Sequence, residues 1–209
     1  MADDISYLKK EAARLKGIKG QVKGEVFKNH FKYIVYKEGE EKAEKLVRLM
    51  DEAGWPINIE KIDPYGFYPE AQSVFMILAA KTIFNWSDKD VFDMGYAAPQ
   101  SSFFIKIIIH YFVSIEKIIE EAPKAWQKHY DFGELKIVSL DKKNKHCVAR
   151  LIGYKFHPLL CIYFKGYFLR ILEYLINSEI TISETKCAHR GDDYHEFEAF
   201  WRLDNKNGK

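Results

Sequence analysis

Between Ser183 and Trp201 the chain reads SETKCAHRGDDYHEFEAFW, which sets Glu184, Cys187, His189, Asp192, Asp193 and His195 close together. Carboxylate, thiol and imidazole side chains in such a group do one of three things. They ligate a metal, they transfer protons, or they hold a polar hairpin together by hydrogen bonds. Strand parity narrows the choice. His195, Phe197, Ala199 and Trp201 fall on one face of an extended segment, and Glu196 and Glu198 on the other. Glu184 follows Ile180 and Ile182 in phase, so it too lies on an apolar face, where an unpartnered carboxylate is costly.

A further donor comes from upstream. Cys161 falls in the first turn of an apolar helix, on the face continued by Phe164, Phe168, Leu172 and Leu175. A helix N-terminus favours the thiolate, the form a metal needs. Cys161, Glu184, Cys187 and His195 together supply two sulfurs, an oxygen and a nitrogen, a tetrahedral set suited to zinc. The competing reading is a plain hydrogen-bonded hairpin. Strict alternation puts Glu184 and Cys187 on opposite faces, so both can ligate only if a bulge or the onset of the turn rotates one of them.

The elements that must position these residues follow from periodicity. Helical spacing runs over 4–16, 21–36, 40–53, 70–84 and 88–97, the last opened by Ser87 with Asp90 three residues on. A long helix is expected over 102–121, stopping near Pro123. The period then changes. Strands are expected over 134–140 and 145–154 around the turn residues DKKN, a helix over 159–177 after Pro158, and strands over 179–186 and 194–203. The fold class is therefore α+β: a helical N-terminal half followed by a β-β-α-β-β unit with a four-stranded antiparallel sheet. Residues 1–19 read as an N-terminal helical extension and residues 20–205 as a single domain.

Composition bounds the function. The 209 residues are 47% hydrophobic and 15% aromatic, ample for a real core. Thirty-two basic against thirty acidic residues give a net charge of +2, and the basic residues form no stripe, so no nucleic-acid partner is expected. No signal-like N-terminus and no apolar run long enough to span a membrane occurs, which gives a cytoplasmic expectation. Three cysteines suit free thiols or metal ligands better than disulfides. Other polar residues read as structural. His110 shares one helical stripe with Lys106, Ser114, Lys117 and Glu121, His30 lies in phase with Val26 and Ile34, and Cys147 alternates within a strand as a small hydrophobe.

The segment 161–201 resembles the 4-vinyl reductase domain and the related sensor domains of phenol-responsive activators. Their pattern is a Cys five residues before Gly-Tyr, then Glu-x-x-Cys, then a second Cys eight residues on with a Gly between. Here Cys161 precedes Gly166-Tyr167, Glu184-Thr-Lys-Cys187 follows, Gly191 supplies the glycine, and His195 stands at the last Cys position. The helical half resembles, more weakly, the same superfamily, which includes the haem-based nitric oxide sensors. Its residues 22–55 have their opening helix-turn-helix rhythm. Ser114 falls about where their iron-ligating histidine would be, and no Tyr-x-Ser-x-Arg occurs, so zinc is expected and haem is not.

The resemblance implies a dimeric small-molecule sensor with an apolar pocket and a structural zinc, acting through a separate effector protein rather than as an enzyme. The expected pocket lies between the long helix, the 159–177 helix and the sheet. Tyr167 and Trp126 are its candidate polar contacts, Phe164 and Phe168 its walls, and an apolar or aromatic molecule its occupant. The N-terminal helix is offered either to a two-fold partner or to the chain's own core. Two alternatives stay open: an accessory protein or reductase of tetrapyrrole metabolism, against which no Gly-rich dinucleotide loop is found, and a ligand-free scaffold of the same fold.

Overall fold

The structure, a computed structural model, describes residues 2–101, 115–176 and 178–202. Its helical half comprises α1 (Ala2–Lys16), α2 (Gly24–Glu38), α3 (Glu40–Glu52), α4 (Glu70–Ile83) and α5 (Asp88–Ser101), with a small ribbon of β1 (Gln21–Lys23) and β2 (Phe67–Pro69). Then come α6 (Ile115–His129), the hairpin β3 (Glu134–Asp141) and β4 (His146–Ile152), the helix α7 (Leu159–Leu175), and the strands β5 (Ile180–Lys186) and β6 (Tyr194–Trp201). The sheet order is β3-β4-β6-β5, antiparallel throughout. The α+β class and the β-β-α-β-β unit stand as read from the sequence.

Helix α4 is apolar all round, and Ser73 to Ala80 are buried without interruption, which makes it the axis of the helical half. Around it α1 contributes Leu8, Ala12 and Leu15, α2 contributes Phe27 and Ile34, and α3 contributes Leu46 and Met50. The apolar face of α1 is thus spent inside its own chain, pinned further by Trp55 Nε1 donating to the Ala12 carbonyl and Arg14 donating to the Phe156 carbonyl. The start of α5 is fixed by a reciprocal cap. The Ser87 backbone N–H donates to Asp90 Oδ2 at 2.7 Å, and the Asp90 N–H donates to Ser87 Oγ at 3.3 Å.

Two helix ends differ from expectation. α5 continues to Ser101 through Pro99, and α6 runs through Pro123 to His129. Proline removes one hydrogen bond and crowds the preceding turn, yet burial of Trp126 beyond it outweighs that loss. The stripe positions Lys106, His110 and Ser114 lie outside the described residues.

Helix α7 lies on the inner face of the sheet, where Phe168 meets Phe197 edge-to-face at 5.1 Å between ring centroids. Its other side packs against α5. It touches both the hairpin cluster and the helical half, and so it positions the candidate site.

Candidate metal centre and apolar cavity

Cys161, at the start of α7, meets Glu184 of β5, Cys187 just beyond it, and His195 of β6. One ligand atom from each lies within 4.8 Å of all the others. The Cys161 and Cys187 sulfurs are 3.5 Å apart, and Cys161 Sγ is 3.5 Å from His195 Nδ1. Two sulfurs sharing a tetrahedral ion at about 2.3 Å would stand ~3.8 Å apart, so little movement would close the set. The obstacle raised by strand parity is removed by a bulge. Glu184 pairs with Phe197 but Lys186 pairs with Glu196, so one extra residue turns Cys187 onto the face of Glu184.

The surrounding contacts orient these groups. His195 Nε2 donates to the Tyr154 carbonyl at 2.8 Å, which turns Nδ1 towards Cys161 Sγ and Glu184 Oε1, the latter at 3.0 Å. Arg190 Nη1 stands 3.3 Å from Glu184 Oε2, and Asp192 Oδ2 accepts from the Cys187 N–H at 2.7 Å, closing the turn. Burial works to raise the Glu184 carboxyl, but hydrogen bonds from His195 and Cys161 outweigh it and hold the group below its usual range. The Cys161 thiol is pushed strongly up, first by burial and then by Glu184. In the absence of a cation, burial beside Glu184 thus opposes the pull of the helix N-terminus. A cation among the four atoms would reverse that balance.

Along α7 from this cluster lies a cavity of about 150 Å³, lined chiefly by α6, α7 and the inner face of the sheet, with Glu25, Val26 and Asn29 of α2 at one side. A dry apolar cavity of this size accommodates a single aromatic ring. Trp126, Tyr167 and Phe168 stand on its wall. Phe164 is not among the described wall residues and packs behind, against Trp126 and Tyr154. Trp126 Nε1 already donates to the Phe132 carbonyl at 3.2 Å, so its polar atom is engaged within the chain. Cys147 also reaches the wall, where burial pushes its thiol up to about 11.

Behind the wall runs a buried polar chain that sequence reading missed. Tyr163, a wall residue, shares a hydrogen bond with His30 Nε2 at 3.0 Å, and His30 Nδ1 lies 3.4 Å from Ser73 Oγ. One turn before Ser73, Glu70 accepts from the Tyr154 hydroxyl, and its Oε2 has no hydrogen-bond partner. Burial raises the Glu70 carboxyl to about 8, against the opposing effects of Tyr154 and Ser73, so the group is a neutral acid at pH 7. Burial lowers His30 to about 3. Tyr154 thus joins both systems, its hydroxyl on Glu70 and its carbonyl on His195.

Sequence comparison matches this chain to no protein family and to no curated protein. Solved structures do match its fold. An H-NOX protein from S. oneidensis in the Fe(II)NO ligation state is similar with a TM-score of 0.67 at 15% identity, over 86% of this chain and 99% of that one. An oxygen-binding H-NOX domain related to soluble guanylate cyclases, in its oxygen complex, gives 0.64 at 9% identity, over 86% and 95%. A structure titled for modulation of heme redox potential through porphyrin distortion gives 0.58 at 11% identity, over 87% and 99%. At these identities the likeness is one of fold. These neighbours do not confirm the narrower resemblance to the 4-vinyl reductase domain, which rests on the residues between Cys161 and His195.

The cofactor expectation is corrected by this comparison. Sequence analysis assigned zinc and set haem aside, whereas the neighbours are described by iron ligation and heme, and none of these three by zinc. Against haem, the described walls give a divided result. The His129 imidazole, its Nδ1 2.9 Å from the Ala125 carbonyl, is a side chain of the type that holds haem iron. No Arg or Lys, however, stands among its described wall residues to meet propionates.

Proposed function

We propose that this chain is a small-molecule sensing domain in which one helix, α7, couples a ligand cavity to a metal-clamped hairpin, and which acts through a separate partner protein. The observation that carries this reading is the placement of both features on α7. Its first turn supplies Cys161, and its later turns supply Tyr163, Tyr167, Phe168, Ile171, Leu172 and Leu175 to the cavity wall. A ligand that shifts α7 along or about its axis strains or relaxes the clamp at its start, which is the differential contact a two-state sensor requires.

In this reading Cys161, Glu184, Cys187 and His195 hold one ion, with its identity unassigned. Two thiols and an imidazole favour the softer first-row divalent cations over magnesium or calcium. The ion's charge stabilises both thiolates and the Glu184 carboxylate, and it ties the start of α7 to β5 and β6. The solved neighbours of the same fold are titled for gas ligation states, which supports a sensory role.

The test is elemental analysis of protein purified without chelator. About one ion per chain is expected, and Cys187→Ser or Cys161→Ser should abolish it with a loss of several kcal/mol of stability. Metal-free protein that melts at the same temperature with and without chelator would end the metal half of the proposal. The absorption spectrum of the same sample decides the occupant, because a Soret band rising to one haem per chain would replace the single-ring ligand by haem.

A further inference from the structure

Two tyrosines of the cavity wall stand apart from the rest. Tyr130 and Tyr167 both line the cavity, and among the described residues neither hydroxyl makes a hydrogen bond. Both residues are largely covered by protein, and each keeps some accessible surface. Polar side-chain atoms enclosed in proteins are paired as a rule, and a lone hydroxyl in an apolar wall forfeits its bonds to water. The pattern recurs in ligand sites, where a few convergent polar groups interrupt an apolar lining.

Both hydroxyls are held in place. The Tyr130 ring stacks on Trp126 at 4.1 Å between centroids and 15° between planes, and it meets Phe132 edge-on at 5.7 Å. The Tyr167 ring packs edge-to-face on Phe164 and Phe168. Burial raises both hydroxyls, so they remain protonated donors at any physiological pH.

The charge of the wall restricts what they can receive. Its described residues include Glu25 and His129, 3.7 Å apart, and no Lys or Arg. Among the described wall residues no lysine or arginine stands ready to receive an anionic ligand. A purely apolar ligand would leave two donors unsatisfied.

Building on the reading of the cavity as a ligand site, we propose that its ligand is an uncharged molecule of about one aromatic ring carrying a hydrogen-bond-acceptor oxygen, such as an aryl ketone or aldehyde, received by Tyr130 and Tyr167. Tyr130 follows His129 at the end of α6 and carries no motif that marks it in the sequence. Only the packing of that helix end against Trp126 and Phe132 turns it into the cavity.

Acetophenone and ethylbenzene share a ring and a two-carbon substituent and differ by a carbonyl oxygen in place of a methylene. Titration calorimetry on the full chain should find acetophenone bound roughly three- to tenfold more tightly. Tyr130→Phe and Tyr167→Phe should each erode that preference, and the double variant should abolish it, with ethylbenzene bound at least as tightly as by the wild type because no donor is left unsatisfied. Melting temperatures should not fall, because neither hydroxyl bonds to a described residue. Equal binding of the two compounds by the wild type would overturn the acceptor assignment and leave the cavity reading standing. A preference that survives in the double variant would overturn the two donors. Tighter binding of benzoate would overturn the uncharged class. If neither ring compound binds, the cavity reading falls and this inference with it.

Discussion

Glu70 and His30 are both buried and both neutral at pH 7, and they bend the stability of the protein in opposite directions. The Glu70 carboxyl rises from its usual 4.5 to about 8. Between those values the unfolded chain has lost a proton that the folded chain keeps, so stability falls as pH rises through the interval. His30 drops from its usual 6.5 to about 3, so stability falls as pH decreases through that interval. The two slopes oppose each other between 4.5 and 6.5, and each acts alone outside that overlap. Glu70→Gln removes one of them. The stability of that variant relative to the wild type should climb by about 1.4 kcal/mol per pH unit from 4.5 to 8. Denaturant melts across pH measure this, and a flat difference would show that Glu70 ionises without resistance. At this scale the sequence marked the residues of the hairpin, because a carboxylate and a histidine in phase with apolar neighbours announce a need for partners. It gave no such sign for Glu70, whose burial depends on Tyr154, a residue 84 positions away.

The contact between α5 and α7 is made through two glycines. A Cβ on Gly95 would lie 2.0 Å from the Tyr163 carbonyl oxygen, and one on Gly166 would lie 2.2 Å from the Phe92 carbonyl oxygen. Both obstacles are backbone atoms, which no side-chain rotation relieves. Gly95→Ala and Gly166→Ala should therefore force the helices apart and destabilise the protein, each by about 2–4 kcal/mol, despite the better helix propensity of alanine. Thermal melts test this, and an unchanged or raised melting temperature would mean that the helices separate freely. Because α7 also carries Cys161 and the cavity wall, either variant that folds should lose metal and ligand affinity together. The elements themselves were mostly legible from periodicity. The continuation of α6 through Pro123 was not, because local propensity opposes it and only the burial of Trp126 reverses the balance. The bulge between Glu184 and Lys186 was recognised as a requirement of the metal set, while its position came from pairing with β6.

Over the whole molecule, α1 closes the helical half instead of standing apart as an appendage. Leu8, Ala12 and Leu15 are buried, and Trp55 sends its indole N–H to the Ala12 carbonyl. A chain beginning at Gly20 would uncover Trp55 and Phe75, which stack at 6.1 Å between centroids, and the neighbouring surface of α4. Burying three such side chains contributes several kcal/mol, so the truncated chain should melt many degrees lower. Light scattering on the same sample reads mass independently. A truncated chain as stable as the full one would contradict the packing described here, whatever its oligomeric state.

What the sequence determined by itself is whatever depends on spacing along one element: the helical and extended periods, the faces of β5 and β6, the capping of α5 by Ser87 and Asp90, and the four residue types that could share a metal. What only the tertiary structure decided depends on distances between elements. The Cys161 thiol lies near a helix N-terminus, which alone would favour its ionised form, yet burial beside Glu184 pushes it the other way. Tyr130 and Tyr167 are ordinary aromatics until α6 and α7 are laid on the sheet and both come to line the same cavity. Periodicity reports which face of an element is apolar. It carries no information about how closely two such faces meet, and the cavity, the buried acid and the glycine contact are all consequences of that closeness.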